Sequence, residues 1–192
     1  MEILTPQGSF LEGKDRNDFT QFGEDGLIEA VLSRIGEKNQ WCFEVGAADG
    51  VFYSNTLRLR NLGWQAVLIE ADDENYRKLE LFARPHEIPI HEKIDHRSLD
   101  RILTNCLCPS QPDLGVIDID SQDYWVWKCL DWFSPRVILI EFCPNAGRFV
   151  PPLGGLGQAT FEPIKDLAIE KGYLPLAKTT VNLLAVKADC FV

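Results

Sequence analysis

Apolar residues recur along this chain in two alternating rhythms, short unbroken runs and longer stretches in which they return every three or four positions. Leu27, Ile28, Val31, Leu32 and Ile35 fall on one face of a helix that opens on Glu24-Asp25 and closes at Gly36. Trp41–Val45 is an apolar run and predicts a strand. A helix over 55–62 follows, with Leu57, Leu59 and Leu62 inward, Arg58 and Arg60 outward, and Gly63 as its stop. The same alternation then predicts a strand at Gln65–Ile69, a helix at Glu74–Phe82, a weak strand at Glu87–His91 and a helix at Ser98–Asn105. It continues with a strand at Leu114–Ile119, a helix at Asp123–Trp132 and a strand at Pro135–Phe142. A helix through Phe161, Ile164, Leu167 and Ala168 closes at Gly172, and strands follow at Tyr173–Lys178 and Asn182–Lys187.

Runs such as Val67-Leu-Ile and Val137-Ile-Leu-Ile are those of strands covered on both faces. Strands alternating with helices then predict an α/β fold, a Rossmann-like doubly wound, mostly parallel seven-stranded sheet with helices on both faces. Too few residues separate the last two strands for a parallel crossover, so they form a hairpin and one strand is antiparallel. Residues 1–192 are expected to form a single domain. Residues 1–22 form an N-terminal arm, which is polar and without period over its first 19 positions. The Pro- and Gly-rich loop Cys143–Gln158 is long enough to expect a function of it.

Composition narrows the chemistry. A net charge of −10 over 192 residues, with no local basic run, argues against a nucleic-acid partner. No apolar stretch is long enough to span a bilayer, and the first residues lack a basic-then-apolar leader, so no membrane partner is expected. The six cysteines lack zinc-ribbon spacing and several lie in apolar patterns, which predicts reduced thiols in a cytoplasmic protein.

Ligands of open α/β sheets lie beyond the carboxyl ends of the strands, where the winding reverses. The first strand of the alternating series ends in Gly46-Ala-Ala-Asp49-Gly50, the next in Glu70-Ala71-Asp72, and the fourth in Ile117-Asp118-Ile-Asp120. Gly46 and Gly50 permit close backbone approach, and Glu70 can accept from ribose hydroxyls. Asp49 and Asp118 suit an ammonium group near a cationic centre. A dinucleotide fingerprint requires G-x-G-x-x-G, and position 48 is Ala; a P-loop is absent as well. Several acids around one loop would repel a pyrophosphate and would suit a ligand carrying a sulfonium and an ammonium.

With these features in view, Glu44-Val-Gly-Ala-Ala-Asp-Gly50 resembles motif I of class I S-adenosylmethionine-dependent methyltransferases. The ordered set is similar to their FkbM-like branch: Gln21-Phe-Gly-Glu24-Asp25-Gly26, Ser54-Asn55-Thr56, Leu62-Gly63-Trp64, Leu68-Ile-Glu70-Ala71, Ile117-Asp118-Ile-Asp120 before Asp123-Tyr-Trp125, and Pro135-Arg136 through Glu141. The resemblance covers about residues 20–187 and implies the class I methyltransferase fold with S-adenosylmethionine as cofactor. It implies that Glu44, Gly46, Ala47, Asp49 and Gly50 line the methionine end, with Asn55 and Ala71 beside the cofactor. Glu70 would hold the ribose, Asp95 would approach the adenine, and the N-terminal arm would fold over as a lid. It further implies transfer to an oxygen on a sugar or other small hydroxyl-bearing metabolite, a small-molecule or saccharide acceptor; among the chain's own residues Asp118, Asp120 and His96 are the candidates for taking the proton. Cys143-Pro144-Asn145 departs from the branch's usual pattern.

Three rivals stand beside it. Asp118, Asp120 and Asp123 could gather Mg²⁺ for a metal-assisted transfer, although no second acid cluster is evident and no metal ligand is assigned. A cofactor-binding module without catalysis, and an NAD-dependent oxidoreductase, are the others. His86 and His91 are expected on the surface, and Tyr124, Trp125, Trp127 and Trp132 are expected to pack a helix on the sheet.

Overall fold

A computed structural model describes residues 1–191. Its strands are β1 (Glu2–Ile3), β2 (Trp41–Val45), β3 (Gln65–Glu70), β4 (Glu87–His91), β5 (Leu114–Ile117), β6 (Val137–Glu141), β7 (Tyr173–Lys178) and β8 (Asn182–Lys187). The helices are α1 (Glu24–Ile35), α2 (Leu57–Asn61), α3 (Asp73–Phe82), α4 (Ser98–Asn105), α5 (Asp123–Lys128) and α6 (Phe161–Glu170). One sheet runs in the order β1-β7-β8-β6-β5-β2-β3-β4. Strands β2 to β6 pair in parallel, while β8 runs antiparallel between β6 and β7. The seven expected strands are all present, with one antiparallel member, and the winding reverses between β2 and β5.

Alternating side chains of the central strands feed two cores. Phe43, Val45, Ile69, Ile117 and Ile140 meet Leu103, Trp127 and Leu167 from α4, α5 and α6. Cys42, Leu68, Val116 and Leu139 meet Leu27, Val31, Leu59 and Leu79 from α1, α2 and α3 on the other face. The period-two exchange of faces along each strand is what lets one sheet serve both layers. Among the described residues no helix is long and apolar enough to cross a membrane, and all six cysteines are free.

Four expectations need correction. The arm is not irregular throughout: Glu2–Ile3 adds an eighth strand antiparallel to β7, and Pro6–Leu11 forms a 3-10 helix that buries Leu11. Arg60 is not outward but 3% exposed, and Leu62 is not inward but 69% exposed. The first turn expected of that helix is lost because the Asn55 N–H donates to Glu44 Oε1 at 2.7 Å, so α2 begins at Leu57. Strand β5 stops at Ile117 because the Ile119 N–H turns to Asp123 Oδ1 at 2.7 Å, and α5 ends at Lys128 rather than Trp132.

Candidate functional site

The crevice lies where the reversal places it. It has a volume of about 490 Å³ and is lined from the carboxyl ends of β2, β3, β4, β5 and β6, within the range of small-molecule sites. Its floor is the junction of β2 and β5. Gly46 sits there at φ +83, and a Cβ added to it would lie 1.7 Å from the Asp118 carbonyl oxygen. Only glycine fits, on both backbone angle and space.

The loop that follows is built from inside the protein. Buried Glu44 accepts from Ser54 Oγ at 2.7 Å, Thr56 Oγ1 at 2.6 Å and the Asn55 N–H. Buried Arg60 donates to the Gly50 carbonyl, to Ser54 Oγ at 3.0 Å, to Thr56 Oγ1 at 3.1 Å and to Glu87 Oε1 at 3.0 Å. Asp49 Oδ1 accepts the Val51 and Phe52 N–H groups at 2.9 and 2.8 Å. Glu44, Ala47, Asp49, Gly50 and Asn55 therefore shape the loop from behind and are not among the residues lining the crevice. Gly46, Glu70, Ala71, Asp118 and Asp120 are.

Glu70, at the end of β3, joins the loop to the next turn. Its Oε2 accepts the Ala48 N–H at 2.7 Å, and its Oε1 accepts from Ala71 and Asp72 at 2.8 and 2.7 Å. A carboxylate offers about four acceptor sites, so one remains for a ligand hydroxyl. Asp95 accepts the Arg97 N–H at 2.8 Å at the entry to α4 and stands outside the crevice lining, where Glu92 and Ile94 occur instead. His96 is also elsewhere, in a separate open cavity with Arg97, Asp100 and Trp132. The carboxyl groups expected from Asp118 and Asp120 are thus brought together, and His96 is not brought to them.

A partner absent from the candidate set is Glu141. Strand pairing places Ile140 beside Ile117, so Glu141 and Asp118 emerge side by side at the carboxyl ends of β6 and β5. Each carboxyl influences the other's titration, and Gln158 donates to Glu141 Oε2. Burial, then the charge of Asp118, drives Glu141 far above the ordinary carboxylate range, and burial raises Asp118 as well. Two buried carboxyls side by side resist ionising together, which holds both above the ordinary carboxylate range. The signal in the sequence was an acid ending an otherwise apolar strand adjacent to the Asp118 strand. Asp123, fully buried, accepts from Ile119 and from the Ser121 N–H at 3.0 Å, yet burial pushes it up to about 6.

Glu70, Glu92, Asp118, Asp120 and Glu141 line the crevice together with Gln21, Phe52 and Tyr53, and no Lys, Arg or His is in that lining. This donor set fits a ligand that brings positive charge and hydroxyl groups, and it disfavours a pyrophosphate. Among the described residues no group of three or more His, Cys, Asp and Glu side chains is placed to hold a metal ion.

Neither a scan of protein-family models nor a search of curated proteins returned a match. Solved structures do match. The chain is similar to the CurJ carbon methyltransferase (TM-score 0.58, 10% identity, 96% of this chain and 59% of that one). It is similar to the N-terminal domain of EvdMO1 determined in the presence of S-adenosylhomocysteine and D-fucose (TM-score 0.52, 13% identity, 94% of each chain). It is also similar to the glycopeptide N-methyltransferase MtfA in complex with S-adenosylmethionine (TM-score 0.52, 12% identity, 88% of this chain and 96% of that one). It spans only 36% of the matched chain of monomeric WbdD. At these identities the likeness shows the fold, which is the Rossmann-like fold of class I methyltransferases.

Proposed function

We propose that this chain is an S-adenosylmethionine-dependent methyltransferase that acts on a hydroxyl oxygen of a sugar or other small metabolite. One observation carries the cofactor assignment. Glu70 ends the strand beside the Gly46 loop and faces the crevice, with its carboxylate already oriented by three backbone N–H groups. Such a fixed acceptor, in a crevice free of basic side chains, suits a ribose next to a positively charged sulfur better than a pyrophosphate. The ordered motifs from Gln21 to Glu141 support placing the chain in the FkbM-like branch. The six free thiols support a cytoplasmic setting, and the single continuous sheet supports one methyltransferase-like domain across 1–192.

When bound, the cofactor supplies a methyl group on a sulfonium as the electrophile. The chain's own part is alignment and proton transfer. Gly46 and Ala71 let the ligand approach the strand ends, and Glu70 accepts from one of its hydroxyls. Asp118 and Glu141 stand at the crevice floor, where an ionised oxygen of the pair takes the proton of an acceptor hydroxyl. Asp120, at the rim, directs that hydroxyl inward. Glu44, Asp49 and Asn55 act through the loop they hold, and Asp95 acts by shaping the turn into α4. The N-terminal segment contributes Gln21 to the crevice wall, and as a lid it would close over the cofactor from that side.

Isothermal titration calorimetry tests the assignment directly. S-adenosylhomocysteine binds with a stoichiometry near one and NAD⁺ gives no heat of binding. The reverse pattern would sink it.

A further inference from the structure

Phe52 and Tyr53 are large, apolar and left open, with 64% and 47% of their surfaces exposed, although both line the crevice. Their rings lie against each other with centroids 3.9 Å apart. Tyr53 holds φ +55, a left-handed backbone that a bulky residue adopts only under constraint. The constraint comes from both sides. The Asp49 carboxylate fixes the Val51 and Phe52 amides, and the Glu44 clamp on Ser54, Asn55 and Thr56 fixes the chain beyond. Arg60 ties the two ends together through the Gly50 carbonyl and Ser54. Seven hydrogen bonds from three side chains thus hold a strained turn that leaves two rings largely exposed at the mouth of a crevice, and among the described residues the Tyr53 hydroxyl has no hydrogen-bond partner.

What would use them follows from the rest of the lining. Around the rings are hydrogen-bond acceptors on Glu92, Asp118, Asp120 and Glu141, the amide of Gln21, and no cation. A flat apolar platform ringed by acceptors matches a ligand with a C–H face on one side and hydroxyls at its edge. The lack of any basic group excludes a phosphorylated or carboxylated version of it. We propose that Phe52 and Tyr53 are the acceptor platform, and that they select an uncharged sugar ring stacked on their faces with its hydroxyls turned to Gln21, Asp120 and the Asp118–Glu141 pair. This rests on the methyltransferase assignment and adds to it the residues that choose the acceptor.

The test uses the S-adenosylhomocysteine-loaded protein, so that cofactor binding is read separately. Saturation-transfer NMR and calorimetry follow titration with D-fucose, D-glucose and D-glucuronate. Wild-type protein is expected to bind one or both neutral sugars and to bind glucuronate at least ten-fold more weakly. Phe52→Ala and Tyr53→Asn (the latter suited to the left-handed backbone) should weaken the neutral sugar at least ten-fold. Tyr53→Phe should keep it within two-fold, and all three variants should keep S-adenosylhomocysteine affinity within two-fold. The proposal is overturned if neither neutral sugar binds, if glucuronate binds as well as the neutral sugars, or if ring removal leaves sugar binding intact. It is overturned too if ring removal weakens the cofactor instead, which would make the rings part of the cofactor pocket. Absence of S-adenosylhomocysteine binding in the wild type would overturn the underlying assignment, a failure that the cofactor titration alone reveals.

Discussion

Replacing Arg60 with Met keeps much of its volume but strands its partners. Glu87 is 2% exposed on its side chain and pairs with Arg60, which is 3% exposed. Its remaining side-chain partners are the Arg84 N–H at 2.9 Å, the more distant Arg84 guanidinium at 3.6 Å and His86 Nε2 at 4.0 Å. Breaking a buried pair from one side costs about 3–5 kcal/mol, because the surviving charge stays desolvated. For a chain of this size each kcal/mol lowers the melting temperature by about 2–4 °C, so a fall of about 6–20 °C is expected. Removing both charges in Arg60→Met/Glu87→Leu should recover at least half of that loss, since matched apolar replacement of a buried pair is often close to neutral. The double variant still lacks the bonds to Gly50 and Ser54, so its affinity for S-adenosylhomocysteine should remain reduced even where its stability returns. Urea denaturation and calorimetry on wild type, both singles and the double give the complete cycle. A single-variant cost under about 1 kcal/mol, or a double variant as unstable as Arg60→Met, would refute the buried-pair account.

Two further outcomes follow from the crevice floor. Gly46→Ala forces a Cβ against the Asp118 carbonyl at a positive φ, so β2 and β5 must part at their carboxyl ends; loss of cofactor binding by at least 100-fold is expected in calorimetry, and wild-type affinity would refute the packing. Asp118 and Glu141 hold a proton in the folded state that the unfolded chain releases above the ordinary carboxyl range of about 4. The folded state then binds more protons, so stability falls as pH rises from that range until the folded pair ionises. Denaturation midpoints at pH 5.5 and 8.5 should fall in wild type and fall less in Glu141→Gln; equal slopes would remove the pair as the cause.

The alternation of apolar runs with helical periods was enough to read the seven main strands, their parallel pairing and the final hairpin, because each obeys a local rule. The edge strand Glu2–Ile3 was not legible, since two residues carry no period and its place depends on finding Ala177 and Lys178 of β7 at the far end of the chain. The burial of Arg60 was hidden for a different reason. Helical spacing assigns arginine to water, and its burial is made tolerable by the distant Glu87 together with acceptors on Gly50, Ser54 and Thr56. The strand-end acids Glu70 and Asp118 were readable as crevice groups. Glu141 entered the pattern only when the sheet order set β6 beside β5. His96 shows the converse, a plausible chemical group that strand order carries to another surface.

The acids of the glycine loop carry a further lesson about how charge selects a ligand here. In the sequence, Glu44 and Asp49 look like counter-charges for a cationic cofactor, yet each accepts from hydroxyl or backbone N–H donors of its own loop. A carboxylate whose lone pairs face fixed donors keeps its charge, and the Glu44 charge still helps to raise Asp118, but its lone pairs are taken and it offers little direct contact to a ligand. The carboxyl groups that a ligand meets directly are instead Asp118, Asp120, Glu141 and Glu92, which stand at strand ends or loops with no cation in the lining beside them. Glu70 lies between these groups, held by three amides and still open to the crevice. The motif therefore sets the shape of the site, and the later strands supply most of the carboxyl groups that line it. Exchanging Asp49 for Asn should then disturb the Val51–Phe52 turn and leave the preference for uncharged acceptors in place, whereas Asp120→Lys should admit D-glucuronate without moving the loop.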